Sequence, residues 1–281
     1  MVAPSVEEYL ARAEAVILPA SASPPRLAQP PQGRLYVGVD LGTAYTVLVV
    51  LDEHYQPLAG IYQFAQVVRD GLVVDFIGAA DLLRGMKRRL EERLGRELTH
   101  AASGYPPGVP QAEVRATANV VEAAGFRCVG LTDEPSAANR VLRLERGAIV
   151  DVGGGTTGIA VIQDGKVVYT ADEPTGGTHF SLVIAGALKI SFEEAEKLKT
   201  NPTEQERLFP LVRPVMEKVA SIAARHVRPF AVERLTLVGG ASAFKAMASV
   251  VADYTGIPAE TPSRPLFVTP LGIAMYNHQE G

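Results

Sequence analysis

The sequence predicts an α/β chain of two related lobes, each led by a β-hairpin and filled out by helices. Three observations support this. An apolar strand runs into an aspartate and a tight turn twice, at Val39-Asp40-Leu41-Gly42-Thr43 and at Val150-Asp151-Val152-Gly153-Gly154-Gly155-Thr156-Thr157. Each turn is followed by a return strand, a third strand and stretches of helical spacing. The 281 residues are 47% hydrophobic and 21% charged, which suits the cores of two modest domains.

Val6, Tyr9, Leu10, Ala13, Val16 and Ile17 form one apolar helical stripe, with Ser5 as N-cap and Glu8 placed to close a capping box. Residues 18–34 hold five prolines among Ala, Ser and Gln, which predicts an extended linker. So short a helix is marginal alone, and its apolar face needs a surface. Residues 35–39 and 45–51 are strands around the Asp40 turn, and 57–65 a third. Residues 79–94 are an amphipathic helix; the charges from Arg84 to Arg93 mix signs at i,i+4 and read as an ion-paired face. A short strand at 100–103 stops at Tyr105-Pro106-Pro107-Gly108, and 111–124 and 136–145 are helical.

The pattern then repeats. Residues 148–150, 159–163 and 166–170 are strands, the last two joined at Asp164-Gly165. Helices follow at 180–187, 192–199 and 208–227, and a strand at 234–238 runs into Gly239-Gly240-Ala241. The expected organisation is a leader over 1–34, a first lobe over 35–147 completed by 266–281, and a second lobe over 148–265.

A net charge of −4 speaks against nucleic acid as the main partner. The single cysteine, Cys128, excludes an internal disulfide or a multi-cysteine metal site and reads as a small buried residue. No apolar run nears the roughly 18 residues that span a bilayer, and no secretion signal opens the chain. A cytoplasmic protein without membrane partners is expected. His226 reads as a solvated helix residue, and His179 as a surface or structural one.

An aspartate at the end of an apolar strand, followed by glycines and hydroxyl residues, suits a phosphate–magnesium site. Glycine lets backbone N–H groups approach phosphate oxygens. A carboxylate can hold magnesium through the waters the ion retains. Two matched turns would clamp one polyphosphate.

These residues carry a resemblance. The Asp40 motif resembles the first phosphate motif of the actin, sugar kinase and heat-shock chaperone ATPase superfamily, and the Asp151 motif resembles the second. Asp133-Glu134-Pro135-Ser136-Ala137-Ala138 is similar to the first connecting motif, and Leu237-Val238-Gly239-Gly240-Ala241-Ser242 to the adenosine motif. Thr269-Pro270-Leu271-Gly272-Ile273-Ala274 is similar to the second connecting segment. Within that superfamily the chain resembles the EutJ family, chaperone-like proteins of ethanolamine-utilisation microcompartments. Residues 67–76, 154–160, 171–177 and 192–197 carry this closer resemblance.

The resemblance implies an actin-like ATPase fold of duplicated ribonuclease-H-like lobes, with ATP in an interlobe cleft. It assigns Asp40 and Asp151 to magnesium through water, and Glu134 to the attacking water. Gly42, Thr43, Gly153, Gly154, Gly155, Thr156, Thr157, Gly176 and Gly177 fall to the phosphates. Glu196 and Lys199 fall to the ribose, against the alternative of a solvated helix face, and Gly239, Gly240 and Ala241 to the adenine. Two departures imply slow hydrolysis: no lysine matches the catalytic one of the chaperone ATPases, and Gly158 stands where they have an aspartate.

The expected function is thus an ATP-binding, slowly hydrolysing, magnesium-dependent chaperone-like or assembly protein, with microcompartment shell or enzyme partners. A small-molecule kinase and a nucleotide-gated scaffold without turnover are the alternatives. The leader resembles peptides that attach cargo to shells, against a disordered or self-docked tail as the other reading. The length leaves no room for an appended client-binding domain.

Overall fold

Ser5 starts the first helix: its hydroxyl accepts the Glu8 amide at 3.2 Å and its own amide donates to Glu8 Oε2 at 2.8 Å. The computed structural model describes residues 4–69 and 72–276; Asp70 and Gly71, part of the resemblance segment, lie outside the described residues. The described residues up to Leu142, with those from Phe267 onward, form one compact unit, and Arg143–Leu266 form another.

The first unit opens with α1 (Val6–Val16), β1 (Ile17–Pro19), β2 (Tyr36–Leu41), β3 (Tyr45–Leu51) and β4 (Pro57–Phe64). A small hairpin, β5 (Val68–Arg69) and β6 (Leu72–Val73), leads to α2 (Phe76–Leu94). Then come β7 (His100–Tyr105), α3 (Gln111–Ala123), β8 (Arg127–Asp133) and α4 (Glu134–Leu142). Its sheet runs β1-β4-β3-β2-β7-β8. β2, β3 and β4 are antiparallel, while β7 and β8 join β2 in parallel. Alternate strand residues such as Val37, Val39, Leu48 and Val50 meet Leu83, Met86, Leu90 and Leu94 of α2 in one core.

The second unit repeats the plan. It contains β9 (Arg146–Val152), β10 (Thr157–Gln163), β11 (Lys166–Glu173), α5 (Gly177–Leu188), α6 (Phe192–Thr200) and α7 (Gln205–Val227). β12 (Leu235–Val238), α8 (Met247–Thr255) and β13 (Ala259–Glu260) complete it. The sheet order is β11-β10-β9-β12-β13, again an antiparallel meander extended by parallel strands. Parallel strands need crossovers, and α5 to α7 supply one between β10–β11 and β12. Phe180, Leu208, Val212, Met216 and Val219 pack these helices on the sheet. Helix α9 (Pro265–Ala274) then returns the chain to the first unit, where Ile273 packs with Ala102 and Ala137.

The proline-rich stretch, expected as an extended linker, is docked on the first unit. Ile17–Pro19 pairs in parallel with Gly60, Ile61 and Tyr62 of β4, and the Ala20 amide donates to the Tyr62 carbonyl at 2.9 Å. Proline removes donors and leaves carbonyls that still need partners. Arginines supply them. Arg89 donates to the carbonyls of Ala20 and Ala22, Arg93 to that of Val16 at 2.8 Å, and Arg96 to those of Pro31 and Gly33. The expected ion-paired face is therefore split: Lys87–Glu91 and Arg84–Asp81 pair, whereas Arg89 and Arg93 hold the leader.

The apolar face of α1 is likewise used within the chain. Tyr9, Leu10 and Ala13 are buried, and the Tyr9 hydroxyl donates to the Tyr55 carbonyl at 2.8 Å. Burying each large side chain contributes about 1.5–3 kcal/mol, which offsets the intrinsic weakness of so short a helix.

Candidate functional site

In the second unit, the predicted site residues gather at the carboxyl ends of parallel strands, where open α/β sheets bind ligands. Asp151 lies in β9 in register with Val238 of β12, so Gly239 emerges beside its carboxylate. Asp151 is buried, and a Cβ on Gly239 would press on that carboxylate and lie 2.5 Å from the Val152 carbonyl. With φ at +84°, Gly239 also adopts a backbone that other residues resist.

The turn Gly153-Gly154-Gly155-Thr156 joins β9 to β10, and the start of α5 docks on it. The amides of Gly177 and Thr178 donate to the carbonyls of Gly153 and Gly154 at 2.9 and 2.8 Å. Gly176 is extended, so its requirement is space alone: a Cβ there would lie 2.7 Å from both carbonyl oxygens. Buried Thr157 donates to the Thr175 carbonyl at 2.6 Å, tying the same loops together. His179 closes the loop by accepting the Gly176 amide through Nδ1 at 3.2 Å, a structural role.

Glu196 and Lys199 do not form a solvated helix face. They are 4% and 8% exposed, and Lys199 Nζ donates to Glu196 Oε2 at 2.5 Å. Ser181 donates to the same oxygen at 2.6 Å, and Lys199 also reaches the Gly177 carbonyl at 3.1 Å. Burial pushes the Lys199 ammonium below its ordinary pKa, against the opposing pull of Glu196. Glu196 Oε1 is buried with no hydrogen-bond partner among the described residues. That oxygen is left to accept a hydrogen bond from an N–H or O–H donor.

Gly240–Ala243 forms a 3₁₀ turn after β12, fixed by Ser242 donating to the Val238 carbonyl at 2.6 Å. A Cβ on Gly177 would lie 3.0 Å from that of Ala241 and 3.2 Å from Lys199 Nζ, so the three glycine turns and the buried pair share one neighbourhood. Sequence reasoning missed Ser181 and Gln205. Gln205 is buried and bridges the Lys199 carbonyl and the Lys245 amide, at 3.3 and 3.1 Å. Only the one-turn spacing from Gly177 hints at Ser181; nothing local marks Gln205.

His226 is not solvated. It stands between Tyr169, whose hydroxyl lies 2.7 Å from Nδ1, and Glu173, whose Oε1 lies 2.6 Å from Nε2. Arg225 also pairs with Glu173, just upstream of the Pro174–Gly177 loop. The His226 hydrogen bond, with help from Arg225, holds the Glu173 carboxyl below its ordinary pKa. A lowered carboxylate contributes stability above its unfolded pKa that is lost as pH falls through the folded value. Glu173→Gln should therefore remove a component of acid sensitivity below about pH 5, read from unfolding midpoints of the second unit.

In the first unit, Asp40, Gly42, Thr43 and Glu134 occupy the equivalent ends. Asp40 lies in β2, whose Val39 registers with Ser103 of β7 and accepts from the Ser103 hydroxyl at 3.0 Å. The Gly42 amide closes the turn on the Tyr45 carbonyl at 3.1 Å, with Thr43 at its tip. Glu134 follows β8 directly, and Asp133 caps α4 by accepting the Ser136 amide at 2.9 Å. Cys128 is half-buried, and burial raises its thiol pKa, which disfavours a nucleophilic thiolate.

No helix among the described residues is long and apolar enough to cross a membrane. The profile of the MreB/Mbl protein family matches residues 61–201, and that of the cell division protein FtsA matches 148–272. MreB5 of Spiroplasma citri bound to AMPPNP shares the fold, with a TM-score of 0.66 at 17% identity over 86% of this chain and 95% of that one. The ethanolamine utilization protein EutJ of Escherichia coli (strain K12) is 43% identical over 85% of both chains. The crystal structure of EutJ from Carboxydothermus hydrogenoformans superposes with a TM-score of 0.86, at 42% identity over 96% of this chain and 98% of that one. The chain thus belongs to the EutJ family, and its two units carry the actin-like ATPase fold.

Proposed function

We propose that the chain is an ATP-binding, slowly hydrolysing chaperone-like or assembly protein of ethanolamine utilisation, acting with microcompartment shell or enzyme partners. The observation that carries the nucleotide reading is the single neighbourhood of Asp151, three glycine turns and the buried Glu196–Lys199 pair. In this reading Gly153–Thr157, Gly176 and Gly177 receive phosphates, Glu196 and Lys199 the ribose, and Gly239, Gly240 and Ala241 the adenine.

The partnerless Oε1 of Glu196 matches a ribose hydroxyl donor. Among the described residues no three His, Cys, Asp or Glu side chains cluster as a metal cage. Magnesium needs no such cage, because it keeps waters and takes one or two carboxylates plus phosphate oxygens. Asp151 would hold that ion through water, and when bound it would neutralise phosphate charge; Asp40 is the equivalent carboxylate of the first unit. Glu134 orients the attacking water.

Magnesium-ATP should raise the melting temperature of the wild type, and phosphate release should be slow but above background. Asp151→Ala should abolish release. Equal rates in both proteins would remove the catalytic assignment, and no thermal stabilisation by ATP would remove the nucleotide site.

A further inference from the structure

The leader and α2 enclose a cavity of about 240 Å³ that the nucleotide reading does not use. It is lined by Leu18, Pro19, Ser23, Gly60 and Ile61, and by four charged side chains, Arg26, Arg89, Glu92 and Arg93. We propose that this cavity binds a small, doubly charged oxyanion of the phosphate class, which fastens the leader to α2.

The charge balance is the main ground. Arg26, Arg89 and Arg93 line the cavity against one carboxylate, Glu92, a surplus of two positive charges in a chain whose net charge is −4; Arg26 and Glu92 also border the neighbouring groove, where the Arg26 guanidinium lies beside Gly95. Glu92 lies 3.9 Å from Arg88, which lines the neighbouring groove instead. Among the described residues, none of Arg26, Arg89 and Arg93 has a carboxylate within ion-pair distance. Arg89 and Arg93 donate only to carbonyls, which are neutral acceptors and leave the charge uncompensated. Arg26 makes no hydrogen bond or ion pair among the described residues. Burial lowers the Arg93 pKa, as expected for a cation that loses water without gaining a counter-ion.

Guanidinium forks match tetrahedral oxyanions in shape as well as charge. The volume sets the size: it falls below the roughly 300 Å³ at which drug-sized ligand pockets begin, so a nucleotide does not fit. The cavity is also separate from Asp40, the first unit's proposed magnesium carboxylate. It lies against β1 and β4, and β3 stands between β4 and the strand that holds Asp40. Arg26 belongs to the leader and Arg89 and Arg93 to α2, so opening the leader dismantles the site.

The test is amide hydrogen exchange of residues 20–34 in the full chain, titrated with inorganic phosphate at constant ionic strength. Exchange should slow saturably, by about tenfold at nine times the midpoint concentration, because the anion binds only the closed form. Arg26→Gln, read as the ratio of exchange with and without phosphate so that any change in the unliganded leader cancels, should show no phosphate dependence. Acetate, singly charged and planar, should protect far less. No saturable slowing in the wild type overturns the proposal. Equal slowing in Arg26→Gln places the phosphate elsewhere and also overturns it, and equal protection by acetate overturns the choice of a dianion.

Discussion

Lys199→Met should destabilise the second unit by about 3–5 kcal/mol, the range for a buried ion pair that loses one partner. The substitution strands the Glu196 carboxylate at 4% exposure with only the Ser181 hydroxyl to satisfy it. Replacing both residues, Glu196→Met with Lys199→Met, should cost far less than Lys199→Met alone. The reason is the direction of the Lys199 pKa: desolvation outweighs the attraction of Glu196, so the pair gives little net stability against an apolar substitute. Urea unfolding read through exchange of the α6 and α7 amides isolates this unit, since two units need not unfold together. If the single and double variants lost the same stability, the unpaired Glu196 carboxylate would not be the source of the loss. A small cost for the double variant means that the pair is kept for binding, because replacing both residues removes the ligand groups while sparing the fold.

Gly176→Ala should cost about 1–3 kcal/mol, in the range of a forced overpacking, and should abolish stabilisation by nucleotide. The added methyl meets two backbone carbonyls at 2.7 Å, and neither can turn aside as a side chain would. The Gly153–Gly154 turn must shift, and with it the amides that the phosphate reading requires. Gly186→Ala is the control: it lies within α5 with nothing within 4 Å of its Cβ, so it should gain up to about 1 kcal/mol in helix propensity. Thermal unfolding with and without magnesium-ATP reads both variants. Unchanged nucleotide stabilisation in Gly176→Ala would detach this loop from the site.

What could be read in the sequence was set by the range of the interactions. The Ser5–Glu8 capping box, the meanders around Asp40 and Asp151, and the amphipathic α2 rest on contacts within a few residues, and each was foreseen. β8 was not recognised as a strand, because Gly130 and the alternating polar residues from Arg127 to Asp133 weaken its apolar signal. α8 follows a short turn that carries no clear N-cap, since Ala246 makes no side-chain cap. The docking of the leader was left open between readings because proline content describes local backbone stiffness, whereas the docking depends on Arg89, Arg93 and Arg96, some 60 to 80 residues away. The same holds for the site. The glycine turns announce themselves, but the burial of Glu196 and Lys199 depends on α5 packing over α6, and the Tyr169–His226–Glu173 chain joins β11 to the far end of α7.

The added strand β1 makes the duplicated units unlike at one margin. In both, the third strand of the meander would be the last of its sheet, with bare amides and carbonyls facing outward, a ready template for another chain. The first unit seals that margin with its own N-terminal segment. The second leaves β11 at the border and protects it differently, with Lys166 at the start and a register break opposite Val161 and Ile162. One margin is therefore sealed by sequence-distant residues and can be unsealed, while the other is guarded by features that cannot leave. A chain shortened to begin after the leader would retain every proposed nucleotide contact and still acquire a new adhesive border, so its solubility and its chemistry would report on different parts of the molecule.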